Sequence, residues 1–306
     1  MISKPNGRRS FVKWSATCAS LILPWTGKTQ TMEASIKVAI EVATTEIRIG
    51  IIEKSHNSPV KLISYKSIQN SGMKLGLIED TVAVSNNIIA CINLFDETLR
   101  GKVIDVIAAL PGVLINGKAS VAGFKQLENS VNLSKLNLKK VHLKNQMSGD
   151  AVLLDDEKKN GVLVVDLGAA TTSLAYFNHG SLIKAQTTPI AGDLITSDIS
   201  FALRTTKIAA ERIKLEISNL TASNRSLNFD IEVPRLDGLP NRKVKADLIP
   251  QIIEPRIVEI FELINTSKKE IDKSSGPIQS IVLTGGTSLA PAISKICSDT
   301  CGLRTR

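Results

Sequence analysis

Aromatic side chains are scarce: two Trp, two Tyr and seven Phe make up 4% of the 306 residues, against 43% hydrophobic residues in all. A core must therefore be built from aliphatic side chains, and the length allows two lobes. Cysteine is scarce as well. Cys18, Cys91, Cys297 and Cys301 follow neither metal-ligand nor disulfide spacing and are expected to be buried or incidental thiols. No run of about 20 apolar residues occurs, which excludes a membrane-spanning helix. Acidic residues are missing from the first 31 positions, which hold Lys4, Arg8, Arg9, Lys13 and Lys28. Without that leader, 33 basic residues face 29 acidic ones, so the net charge of +9 is no argument for nucleic-acid binding.

What the chain does have is a repeated strand tip. Residues 161–172, Gly-Val-Leu-Val-Val-Asp-Leu-Gly-Ala-Ala-Thr-Thr, read as a buried strand that ends in Asp166 and turns tightly through small residues. Small residues let backbone N–H groups approach phosphate oxygens, hydroxyls add donors, and an aspartate can hold Mg²⁺ through water. An ordinary hairpin is the plain alternative. Residues 36–52 repeat the plan, with Glu41 at the tip followed by Ala43, Thr44 and Thr45 and then a second strand. A third apolar strand, residues 280–284, runs into Gly285, Gly286 and Thr287.

Two acid-tipped hairpins followed by a Gly-Gly strand end resemble the actin-like ATPase fold, an α/β fold of ribonuclease H-like character whose two related lobes clamp a nucleotide. The resemblance sharpens in Thr188-Pro189-Ile190-Ala191-Gly192-Asp193-Leu194-Ile195-Thr196-Ser197-Asp198-Ile199, in Ala210-Glu211-Arg212-Ile213-Lys214, in Ile231-Glu232-Val233-Pro234 and in Ile253-Glu254-Pro255-Arg256-Ile257-Val258-Glu259-Ile260. These segments are similar to the bacterial cell-division protein family FtsA. The similarity is nearly continuous over residues 151–296 and weaker over 36–117, where it rests on the first hairpin, Ser71-Gly72-Met73-Lys74-Leu75-Gly76 and the helix after it.

The resemblance implies ATP with Mg²⁺ as cofactors, with Asp166 as the metal-water and phosphate residue. Gly168, Thr171, Thr172, Gly192, Gly285, Gly286 and Thr287 are implied as backbone and hydroxyl contacts, Glu211 and Lys214 as ribose and adenine contacts, and Glu41, Thr44 and Thr45 as the first-lobe counterpart. Glu211 and Lys214 stand one helical turn apart, and an exposed ion pair is the bland reading of the same spacing. The implied role is a division scaffold at the cytoplasmic face of the septum that docks the C-terminal tail of FtsZ, with self-association as a further possibility. A PilM-like pilus-assembly protein, a small-molecule kinase of the same superfamily and a degenerate relic are the alternatives. The kinase lacks an acidic general base after the first hairpin.

The expected organisation is a leader at 1–31 outside the fold, a first lobe at 32–153, and a second lobe at 154–306 with a smaller subdomain near 205–275. In the leader, Arg8-Arg9-Ser10-Phe11-Val12-Lys13 resembles a twin-arginine signal without an A-x-A cleavage pattern, and Gly27-Lys28-Thr29 lacks the upstream glycine of a P-loop. Strands are expected over 36–66 and 103–110. Helices are expected over 79–99, 193–203, 206–217 with a threonine N-cap, and 246–271, the last interrupted by Pro250 and Pro255.

Residues 111–144 look short, polar and poorly periodic, and only 125 residues separate Glu41 from Asp166, so a shortened inserted subdomain is expected. The chain stops at Arg306, before the family's last strand and helix and its amphipathic anchor, so membrane attachment is expected only through a partner. Two departures bear on affinity. Ala169 and Ala170 stand where the family has glycines, at a cost of about 1 kcal/mol or more if those positions need positive φ. Ala43 replaces another glycine, and Glu46 replaces a cation near the phosphates. Nucleotide binding is therefore expected to be weak.

Overall fold

The computed structural model describes residues 35–306 apart from 55–60, 116–117, 122, 223–224 and 237–239. The leader and its two motifs lie outside the described residues. The chain divides into two compact units, Met1–Leu154 with Lys184–Thr187, and Asp155–Ile183 with Thr188–Arg306.

In the first unit, β1 (Ser35–Val42), β2 (Glu46–Lys54), β3 (Lys61–Gln69), β6 (Asp105–Leu110) and β9 (Asn137–Leu143) form a five-stranded sheet in the order β3-β2-β1-β6-β9. β1 is antiparallel to β2 and parallel to β6, which is parallel to β9. The central strand is apolar on both faces because both faces are covered. Val38, Ile40 and Val42 join Ile47, Ile49 and Ile51 beneath α1 (Thr81–Ile92) and α3 (Phe124–Leu133), while Ala39 packs with Ile52, Ile107, Ala109 and Met147 on the other face.

Asp80 caps α1 by accepting from the N–H groups of Val82 and Ala83. That helix ends at Ile92, short of the expected Leu99, and a separate turn, α2 (Glu97–Arg100), follows. Val84, Ile88 and Cys91 bury in the same core as the sheet. Between β3 and α1 lies a small hairpin of β4 (Met73–Lys74) and β5 (Leu77–Ile78). The stretch 111–144, read as poorly periodic, holds the hairpin of β7 (Gly112–Ile115) and β8 (Lys118–Val121), then α3 and β9. α4 (Lys144–Val152) closes the unit, and residues Lys184–Thr187 join it by pairing with β7, Ala185 opposite Leu114.

In the second unit, α5 (Asp155–Lys159) leads into β10 (Val162–Leu167), which is buried along its whole length. β10 is antiparallel to β11 (Thr172–Asn178) and parallel to β15 (Ser280–Thr284), with β12 (Ser181–Thr188) and β16 (Arg304–Thr305) at the flanks. Four helices pack here: α6 (Gly192–Ala202), α7 (Lys207–Ala222), α8 (Leu248–Ser275) and α9 (Ile293–Cys301). The core is mostly aliphatic, as the composition requires, with Leu163, Val165 and Leu174 against Ile195, Ile199, Ile213 and Ile257, and with Tyr176 and Phe261 as its aromatic members.

Thr206 caps α7 by accepting from Ala209 N–H. α8 starts at Leu248, two residues later than expected, which puts Pro250 in the first turn where no helical N–H partner is lost. Pro255 lies inside the helix, whose buried face of Ile249, Ile253, Ile257, Ile260 and Ile264 outweighs one missing hydrogen bond. β13 (Asp230–Val233) and β14 (Arg242–Lys245) form a small antiparallel sheet between α7 and α8.

Candidate functional site

Three loops of the second unit are tied together at one carbonyl. Gly168 O accepts from Gly192 N–H at 3.1 Å and from the Thr287 hydroxyl at 2.8 Å, while Gly168 N–H donates to Thr171 O at 2.9 Å. Asp193 N–H donates to Ala169 O at 2.7 Å. The strand tip, the start of α6 and the turn after β15 thus form one hydrogen-bonded unit, and glycines make it possible. A Cβ on Gly192 would stand 2.3 Å from Thr287 Oγ1, and one on Gly285, whose φ is +88°, would stand 2.3 Å from Leu167 O and 2.5 Å from Asp166 Oδ1. Gly286 is exposed, and a Cβ there would meet nothing within 4 Å, so its face is open to a ligand. The Asp166 carboxylate is buried beside this turn.

Ala169 and Ala170 need no glycine. Neither has a positive φ, so the turn carries both methyl groups without backbone strain, and the expected cost does not arise.

Lys214 is buried, and its ammonium has three protons and three acceptors: Gly192 O at 3.2 Å, Thr196 Oγ1 at 2.8 Å and Glu211 Oε2 at 2.6 Å. The Thr196 hydroxyl also bonds Glu211 Oε2. Lys214 is therefore inward-facing, while the Glu211 side chain that pairs with it is 38% exposed, and together they join α7 to the start of α6. Thr172 also turns inward, its hydroxyl donating to Ile190 O at 2.6 Å. Asp193, which the sequence reading quoted without choosing, stands at the same place. Partial burial raises its carboxyl above the ordinary range and Glu211 pushes the same way, against Lys214 and Lys207.

Glu41, Thr44 and Thr45 lie in the first unit, where Asn70 fastens the hairpin tip through its N–H to Thr45 O and its amide to Ala43 O. Glu41 is buried between two cations, Arg48 Nη1 at 3.0 Å and Lys144 Nζ at 3.3 Å. Burial raises its pKa, but Arg48 and Lys144 outweigh burial and bring it down to about 2. Glu46 pairs with Arg48 at 2.9 Å, so its charge is already compensated. Arg48 and Lys144 were not foreseen; only the cross-strand register of Glu41 with Arg48 could have suggested the first. Among the described residues no group of three or more His, Cys, Asp or Glu could hold a metal ion.

Residues 163–306 match the family described as cell division protein FtsA. The FtsA of Pseudomonas aeruginosa is 33% identical over 184 residues, covering 58% of this chain and 44% of that protein. The FtsA of Neisseria meningitidis serogroup B is 39% identical over 150 residues, covering 48% of this chain and 36% of that protein. The chain thus spans less than half the length of these FtsA relatives.

Solved structures extend the likeness along the whole chain at the level of fold. The ethanolamine utilization protein EutJ from Carboxydothermus hydrogenoformans superposes with a TM-score of 0.67 at 15% identity, covering 98% of this chain and 94% of that one. A chain of the PilM-PilN type IV pilus biogenesis complex gives 0.65 at 14% identity, covering 88% and 87%. MreB 5 of Spiroplasma citri bound to AMPPNP gives 0.63 at 18% identity, covering 90% and 91%. The fold is that of the actin-like ATPases. The FtsA match includes β10, both ends of the three-loop unit and every helix of the second unit from α6 onward.

Proposed function

We propose that the protein is an FtsA-like cell-division scaffold that binds ATP with Mg²⁺ weakly through its second unit and docks the C-terminal tail of FtsZ at the cytoplasmic face of the septum. The observation that carries the nucleotide reading is the union of the Asp166–Thr172 tip with the Gly285–Gly286 turn through Gly168 O and Thr287. It sets a carboxylate beside Gly286, where an added Cβ would meet no described residue within 4 Å. Asp166 would hold the hydrated cation, and Gly286 would admit the nucleotide against the backbone. The cation would neutralise phosphate charge when bound. Lys214, Thr172 and Thr287 brace this site through polar atoms used within the protein, and Glu211, whose side chain is 38% exposed, stands beside Lys214 where it can reach a ribose. Weak affinity follows from that internal use: the lysine spends its protons on protein acceptors, and Glu41 is likewise held by Arg48 and Lys144.

FtsZ docking rests on the family match over residues 163–306, which contains the smaller subdomain near 205–275. The test is calorimetry of the full chain with a peptide of the FtsZ C-terminal tail. Saturable binding supports the assignment, and a folded sample with no measurable binding removes it.

A further inference from the structure

Two thiols meet inside the second unit. Cys297 and Cys301 stand four residues apart on α9, both are buried and both are free, so their sulfur atoms share the face that the helix turns to the core. They hydrogen-bond to each other. α8 supplies their surroundings: Cys301 Sγ lies 3.9 Å from Phe261 O, and Lys268, which pairs with Asp272 at 2.9 Å, is near enough for its charge to act on that thiol. The helix that carries them is held at its end. Asn265 of α8 donates its amide to Thr300 O at 3.2 Å, the Ser298 hydroxyl donates to Leu303 O at 2.8 Å, and Gly302 stops α9 with φ +66°.

The spacing decides what such a pair can do. Cβ atoms four residues apart on a helix lie about 5–6 Å from one another, whereas a disulfide needs about 3.5–4.5 Å, so a direct S–S bond would distort α9. An ion placed between the sulfurs spans the wider gap. Thiolates select soft ions, Cu(I) and Zn(II) among them. Zn(II) calls for four ligands, and among the described residues no group of three or more His, Cys, Asp or Glu gathers around this pair or elsewhere. Two thiolates alone suit Cu(I), which is satisfied by two soft ligands in a near-linear arrangement.

We infer that Cys297 and Cys301 form a two-thiolate site for Cu(I), buried between α9 and α8. Binding replaces two S–H bonds by two S–Cu bonds and releases both protons to solvent, so the site gains one negative charge, beside Lys268. Cys301, 7% exposed at the end of α9, is the side from which the ion enters. A four-residue spacing matches no zinc motif, which is why the two cysteines read as incidental thiols in the sequence. The site is independent of the nucleotide and FtsZ readings.

The experiment is anaerobic titration of the reduced full chain with Cu(I) against bicinchoninate, a chelator that competes for the ion and reports it by colour. The parent protein should withhold one ion per chain and gain a sulfur-to-copper absorption in the ultraviolet. Its thermal transition should rise with the ion, because only the folded chain presents the two thiolates together. Cys18→Ser/Cys91→Ser should behave as the parent does, and Cys297→Ala/Cys301→Ala should withhold no copper. Circular dichroism checks that this double variant folds, and if it does not, Cys301→Ser, which alters only the less buried thiol, takes its place with the same expected loss. A parent that yields all its copper to the chelator overturns the inference. Equal retention by a folded Cys297→Ala/Cys301→Ala protein, or loss confined to Cys18→Ser/Cys91→Ser, places the ion elsewhere and overturns it as well. Zn(II) held as tightly as Cu(I) would mean a site with more ligands than these two, which is again a refutation.

Discussion

Replacing Gly285 with alanine should damage the protein, while the same change one residue later should not. Gly285 has φ +88° and ψ 166°, a region essentially reserved for glycine, and forcing an alanine into it costs about 1–3 kcal/mol. The added Cβ would also lie 2.3 Å from Leu167 O and 2.5 Å from Asp166 Oδ1, so the end of β10 must move. Together these effects amount to about 3 kcal/mol or more, which lowers the Tm of a unit this size by about 6–12 °C. At Gly286 the Cβ meets nothing within 4 Å, and the change should stay within about 0.5 kcal/mol. The assay is thermal unfolding followed by circular dichroism, with nucleotide titration on the same samples. Gly286→Ala should keep the parental Tm yet weaken ATP binding, because its methyl would occupy the open face. A Gly285→Ala protein unfolding within about 1 °C of the parent would refute the reasoning.

Lys214→Met should destabilise by about 1–2 kcal/mol in a denaturant titration, because Gly192 O and Thr196 each lose a donor while Glu211, 38% exposed, is left to water. Glu41 has a folded-state pKa of about 2, below its ordinary 4.5, so its contribution is fully present above about pH 4.5 and is lost as pH falls toward 2. Unfolding curves taken across that window should lose this acid limb in Glu41→Gln, which at neutral pH should be less stable by about 3 kcal/mol. Ala169→Gly and Ala170→Gly should each destabilise by about 0.5–1 kcal/mol without strengthening ATP binding, since neither position has positive φ; a gain in affinity would show that the turn changes shape with ligand. Burial pushes the Cys91 thiol up to about 12, so it should react with a thiol reagent only in denaturant.

Local pattern carried far in this chain where side chains repeat and little where partners are distant. β10 was legible because six successive apolar or tip residues bounded by Gly161 and Gly168 fit nothing but a buried strand. The stretch 111–144 was not: a four-residue hairpin arm has too few residues for a period, and α3 shows just Leu127, Ser130 and Val131 to the core. The site was half legible. Asp166, Gly192, Gly285 and Thr287 were named from sequence and meet in space, but the direction of Lys214 was not, because one turn of spacing to Glu211 fits an inward pair as well as an outward one. The cations that hold Glu41 were not legible either, since Lys144, one of the two, is 103 positions away in the chain.

The central claim is that the Asp166 tip and the Gly285–Gly286 turn together hold a nucleotide. Isothermal titration of the full chain with ATP and Mg²⁺, beside Asp166→Ala, tests it most directly. The account predicts weak, saturable, Mg²⁺-dependent heat for the parent and none for an Asp166→Ala protein that retains its circular dichroism. Equal heat from both proteins, or no heat from a folded parent, would contradict it.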